Sequence, residues 1–113
     1  NPVTNPELIR KMATNQLAGD IASLLPEGPE GFREWMPFEV LGMGLGVWGA
    51  QDSSQLAWNS NLGEFGWGGI ANTVFWIDPV CDSSVLFFTQ VMPPSQLGLR
   101  VALHRFAAEI LHR

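Results

Sequence analysis

Tyrosine is absent from this 113-residue chain, lysine occurs once, at Lys11, and cysteine once, at Cys81. A single cysteine excludes an internal disulfide and reads as a small buried or turn-edge thiol. Basic residues are scarce: six Lys and Arg stand against eleven Asp and Glu, a net charge of −5, with no cluster to follow a phosphate backbone. Nucleic acid is therefore excluded as a partner. The longest apolar stretches, Val74–Ile77 and Val85–Phe88, are far short of the roughly 20 residues of a membrane-spanning helix, so no membrane span is expected. There is no starting Met and no charged segment leading into an apolar run, so the start reads as truncated and any signal peptide as lying upstream or never having existed. Internal repeats and low-complexity tracts are also lacking.

What is present is enough for a packed core. Hydrophobic residues make up 46% of the chain, and its aromatics are five Trp and seven Phe. Thr4-Asn5-Pro6-Glu7 offers two helix starts, a capping box from Thr4 to Glu7 or an Asn5 cap with Pro6 in the first turn. Leu8, Ile9, Met12, Ala13 and Leu17 recur at helical spacing and Gly19 supplies a stop, which predicts a helix over about residues 6–17. The Pro- and Gly-rich stretch from Leu25 to Pro37 predicts a loop, anchored by Phe32, Trp35, Met36 and Phe38.

Short β-prone runs follow at Gly46–Ala50, Leu56–Ser60, Asn72–Ile77, ended by Asp78-Pro79, and Ser84–Met92, with a turn over Val80–Ser83 before the last. Pro93-Pro94 halts the last run, and Ser95 is placed to cap a closing helix. Its stripe is Leu99, Leu103, Phe106, Ala107 and Ile110, with Arg100, Arg105 and Glu109 on other faces. Helices at both ends and strands between predict an α+β fold, an antiparallel sheet with both terminal helices packed on one face. The whole chain, 1–113, reads as one segment.

Several motifs fail on context. Gly44-Leu45-Gly46-Val47-Trp48-Gly49 matches G-x-G-x-x-G, with Glu64 at the spacing of a ribose-binding acid, but the polar Gln51–Ser60 stretch begins no helix to face a pyrophosphate. His104 and His112 are eight apart, too far for a chelating pair, and read as surface or capping residues; no metal is expected. Asp78 and Asp82 flank a turn and are expected to bind backbone amides. No Gly-x-Ser-x-Gly elbow occurs, so a self-contained Ser-His-Asp enzyme is not expected.

The informative stretch is Gly63-Glu64-Phe65-Gly66-Trp67-Gly68-Gly69-Ile70-Ala71-Asn72-Thr73-Val74-Phe75-Trp76-Ile77-Asp78-Pro79, followed by Phe88-Thr89-Gln90. It resembles the class C β-lactamase-like group of the penicillin-binding-protein and β-lactamase fold, which includes esterases, acyltransferases and DD-peptidases, from that family's third active-site motif onward. The Met12, Asn15 and Leu17 helix, the Gly42-x-Gly44-Leu45-Gly46 strand entry and the closing helix extend the likeness over nearly the whole chain, which corresponds to the last part of the family's domain. The family carries Lys-Thr-Gly or His-Thr-Gly at the start of a strand lining the active site, and esterase-like members carry Trp-x-Gly. Trp67-Gly68-Gly69 is similar to that variant.

The resemblance implies that Ile70 supplies an oxyanion-hole amide through its backbone N–H, with Trp67, Gly68 and Gly69 lining the substrate site and no cofactor needed. Trp67 in place of a cationic or imidazole side chain favours an apolar acyl or ester substrate over penicillins or peptidoglycan. The family's nucleophile lies in Ser-x-x-Lys, yet the residue three before Lys11 is Leu8, and the tyrosine of its second motif has no counterpart. Nucleophile and base are thus expected from an N-terminal portion of the same hydrolase domain. Two rival readings are a non-catalytic module stacking a sugar or apolar ligand on Trp48, Trp58 and Trp67, and an interaction remnant that forms a homo-oligomer through its sheet face.

Overall fold

The structure, a computed structural model, describes residues 5–21, 41–51, 60–92 and 97–111. Helix α1 spans Pro6–Ala13, strands β1 to β5 span Leu41–Met43, Trp48–Ala50, Phe65–Gly68, Val74–Asp78 and Ser83–Phe87, and helix α2 spans Leu97–Leu111. The predicted anchors Phe32, Trp35, Met36 and Phe38, the run from Leu56 to Asn59, the Ser95 cap and His112 lie outside the described residues.

The strands form one antiparallel meander in the order β1-β2-β3-β4-β5. Together with the terminal helices this is the α+β class read from the sequence. Strand alternation sends Leu41, Trp48, Ala50, Val74 and Trp76 to one face, where they are buried with Ile21 and with Ala107 of α2. Each of the larger side chains so buried contributes about 1.5–3 kcal/mol, the alanine methyls less. The other face carries Gly42, Gly49, Phe65, Trp67, Phe75 and Ile77, by the same alternation and pairing.

The helices do not share a face as predicted. α2 covers the Trp76 side, whereas the last turn of α1 abuts the opposite side: a Cβ on Gly49 would meet the Ala13 carbonyl at 3.1 Å, and one on Gly44 the Met12 carbonyl. Glycine at these positions admits a helix end against bare backbone. α1 itself buries no residue, and Leu8 of its predicted stripe is exposed.

α1 begins as expected, with the Asn5 side chain accepting from the Glu7 N–H at 2.9 Å, but stops at Ala13, four residues early. Thr14 adopts an extended conformation and its hydroxyl donates to the Arg10 carbonyl, after which the chain crosses the sheet edge. There Asn15 Oδ1 accepts from the Met43 N–H at 3.0 Å and the Gln16 N–H donates to the Met43 carbonyl at 2.8 Å. These contacts seal the β1 edge and carry Leu17 and Ile21 onto the core face. Gly42 makes room, since a Cβ there would strike the Asn15 side chain.

Candidate functional site

Trp67 and Gly68 close β3, and Gly69 and Ile70 enter the turn to β4, so the motif ends a strand and does not open one. Phe65–Gly68 was not among the runs read as strands, because its two glycines obscure any β pattern; cross-strand pairing of Gly66 with Trp76 and Gly68 with Val74 supplies the order. Inside the turn the Gly69 N–H donates to the Thr73 carbonyl at 2.8 Å, and the Asn72 N–H to the Gly69 carbonyl at 3.1 Å. Asn72 lies in the left-handed region at φ 63°, and its buried side-chain amide donates to the Val91 carbonyl. The Val91 N–H returns a bond to the Ala71 carbonyl, which ties the chain beyond β5 to this turn. β5 itself stops at Phe87, short of the predicted Met92.

The Ile70 N–H has no hydrogen-bond partner among the described residues, and the residue is 64% exposed. The three residues before it, Trp67, Gly68 and Gly69, line an apolar groove of about 390 Å³, also walled by Phe75, Leu86 and Phe88, with Thr73 in the lining. Trp67 is 41% exposed and forms part of the wall. The structure thus brings together Trp67, Gly68 and Gly69 at one groove, while Ile70, next in the chain, is not among the residues that line it. An apolar acyl chain fits such walls, and an exposed backbone N–H can donate to a carbonyl oxygen. The Thr73 hydroxyl and the Trp67 indole N–H are the polar side-chain groups among the lining residues, which include no imidazole and no carboxylate among the described residues.

Below the motif, on the core face, is a polar cluster that sequence reasoning missed. His104 is not a surface residue: His104 Nε2 lies 2.9 Å from Glu64 Oε1, both residues are 2% exposed, and His104 Nδ1 lies 3.0 Å from the Arg100 carbonyl. Trp76 stacks on the imidazole with ring centroids 3.8 Å apart. Arg100, expected on an outer face, is 3% exposed, and its guanidinium occupies the space above Gly68, where a Cβ would come within 2.7 Å of Nη1. Burial holds the Arg100 pKa below the usual guanidinium value. Arg100 and His104 are four apart on one helix, a spacing that signals a shared face; their partners on β3 and β4 leave no local signal.

Asp78 behaves as predicted for a turn acid. Its Oδ1 accepts from the Val80 and Cys81 N–H groups at 2.8 and 3.2 Å, and its Oδ2 from the Asn61 amide at 2.7 Å. Burial pushes its pKa up, but the bonds from Asn61, Cys81 and Val80 outweigh that and hold the carboxyl below its ordinary range. Asp82 is exposed, at φ 49°. Cys81 is half-buried; burial and then the neighbouring Asp78 charge raise its pKa. Trp48 is buried and presents no stacking face, while Trp58 lies outside the described residues. No group of three or more His, Cys, Asp or Glu suited to a metal occurs among the described residues, and none of their helices is long and apolar enough to cross a membrane. Comparison with protein-family models and with curated proteins finds no match to this chain.

Proposed function

We propose that this chain is the C-terminal portion of a serine acyl hydrolase or transferase of the β-lactamase-like, esterase type, contributing the oxyanion amide and one wall of the acyl pocket. The observation that carries this reading is the exposed Ile70 N–H, without a partner among the described residues, directly after Trp67, Gly68 and Gly69, which line an apolar groove with Phe75, Leu86 and Phe88. A serine with its lysine and tyrosine, brought by a segment outside these 113 residues, attacks the acyl carbon of a small apolar ester; the carbonyl oxygen gathers charge and is held by the Ile70 N–H together with the nucleophile's own N–H. Trp67 and Phe75 receive the acyl group, and no cofactor takes part.

The test uses a p-nitrophenyl ester and a serine-reactive phosphonate. The 113-residue chain alone is expected neither to hydrolyse the ester nor to take up the label, and the chain joined to its upstream coding sequence to do both. Labelling of the chain alone, or an inactive joined protein, would overturn the proposal.

A further inference from the structure

Two buried acceptors bracket the imidazole of His104. Its Nδ1 lies 3.0 Å from the Arg100 carbonyl oxygen and its Nε2 lies 2.9 Å from Glu64 Oε1. A carbonyl oxygen can only accept, so Nδ1 carries a hydrogen. A neutral ring with its hydrogen there has a bare lone pair at Nε2, which cannot bond a carboxylate that is itself acceptor-only. The contact at Nε2 therefore needs one further proton, either on the ring as an imidazolium or on the Glu64 carboxyl. In both forms the pair holds one proton more than a neutral histidine beside an ionised glutamate.

We infer that Glu64 and His104 keep this shared proton in the folded chain at neutral and mildly alkaline pH, and that its loss unlatches α2 from the sheet. This goes beyond the proposed hydrolase role and does not depend on it. Both residues are 2% exposed, so water cannot stand in for the missing hydrogen. Trp76 stacks on the imidazole at 3.8 Å between centroids, and its π face favours a positive ring. Among the described residues, the charged and titratable groups around the pair are Arg100 of α2, Asp78 of β4 and Cys81 of the turn after it. Asp78 stands one step beyond the Phe65–Ile77 pair, opposite Glu64, and the Cys81 thiol feels the Glu64 charge. β1, β2, β3 and β5 contain no charged residue. Two buried carboxylates thus stand against the buried Arg100, and the retained proton balances them.

Once that proton leaves, two acceptors confront each other in the core and α2 loses its fastening at His104. Arg100, one turn earlier on α2, occupies the space above Gly68, so the latch reaches a residue that lines the groove. An unfolded chain releases its imidazole proton above about pH 6.5, so above that pH folding takes one up. The stabilisation is complete below about pH 6.5, shrinks as the pH climbs, and is gone once the folded pair gives up its proton.

Urea unfolding of the 113-residue chain between pH 6 and 8, below the ordinary thiol range, tests this. NMR follows the His104 ring in a chain carrying His112→Gln, which leaves one imidazole. The unfolding constant should rise by up to about tenfold per pH unit above 6.5, and the folded-state ring signals should stay constant from pH 6.5 to 7.5. Glu64→Gln supplies an amide that donates to a bare Nε2, so this variant needs no extra proton and should lose the slope. A folded-state ring that titrates with its ordinary midpoint overturns the inference, as does a native stability that is flat over this range or a slope that persists in full in Glu64→Gln. If Glu64→Gln does not fold, the ring signals and the native slope decide by themselves.

Discussion

His104 on α2 and Glu64 at the entry to β3, forty residues apart, meet at 2.9 Å inside the core with Trp76 stacked on the imidazole. The contact fastens the closing helix to the strand that ends in Trp67-Gly68-Gly69, and removing one partner leaves the other buried without it. His104→Ala and Glu64→Ala are each expected to destabilise the fold by about 2–4 kcal/mol. His104→Ala should be the more severe, because it also removes the stack on Trp76. Urea unfolding with unchanged m-values measures both; a loss below the scatter of surface substitutions would show that the pair does not hold α2.

Gly66 and Gly68 separate backbone from side-chain crowding. A Cβ on Gly66 would run into the Phe75 carbonyl and Trp76 Cα, which cannot move without breaking the β3–β4 register. A Cβ on Gly68 would meet the tip of the long Arg100 side chain, which can shift. Gly66→Ala is therefore expected to cost at least about 2–3 kcal/mol and Gly68→Ala less. Combining Gly68→Ala with Arg100→Met should restore part of the loss, which a double-mutant cycle reads directly.

The Asn72 turn holds the groove margin. Asn72→Ala loses the bond to the Val91 carbonyl and leaves a non-glycine, non-asparagine residue at positive φ, with an expected cost of about 2 kcal/mol. Asn72→Gly relieves the backbone and loses only the bond, so it should cost less. Thermal unfolding ranks the two, and the opposite order would show that backbone strain at this position is unimportant.

Acid stability should depend on Asp78. Its folded-state pKa is depressed, so the stabilisation is complete above the ordinary carboxylate pKa and is lost as pH falls through the lower folded value. Denaturant midpoints measured from pH 6 downward should fall for the native chain, and Asp78→Asn should flatten that fall. An unchanged slope in Asp78→Asn would place the acid sensitivity elsewhere.

The Cys81 thiol should resist alkylation near neutral pH, since burial and then the Asp78 charge keep it protonated above the usual thiol range. Asp78→Asn removes the second of these influences and should quicken the reaction with iodoacetamide. An equal rate would assign the slow reaction to burial alone.

Local chemistry made much of this molecule legible from its residues. Asn5 before Pro6 starts α1, Asp78-Pro79 ends β4 with the Asp side chain on turn amides, and apolar runs between turn residues become strands, because each of these choices is made within a few residues. The candidate residues Trp67, Gly68 and Gly69 stand out as a glycine-flanked tryptophan, and in the structure they line one groove. Long-range packing decided the rest. Asn15 ends α1 early by trading helical bonds for the β1 edge, and glycines at 44 and 49 seat α1 opposite α2. The α2 stripe rotated as well: Ala107 is buried as predicted, but Phe106 and Ile110 face outward, while Arg100 and His104 turn in. A helical period specifies which residues share a face and not which face meets the sheet. Here the deciding terms were a carboxylate, an indole and a glycine gap contributed by strands about 25 to 40 positions away, and only folding brings those within reach.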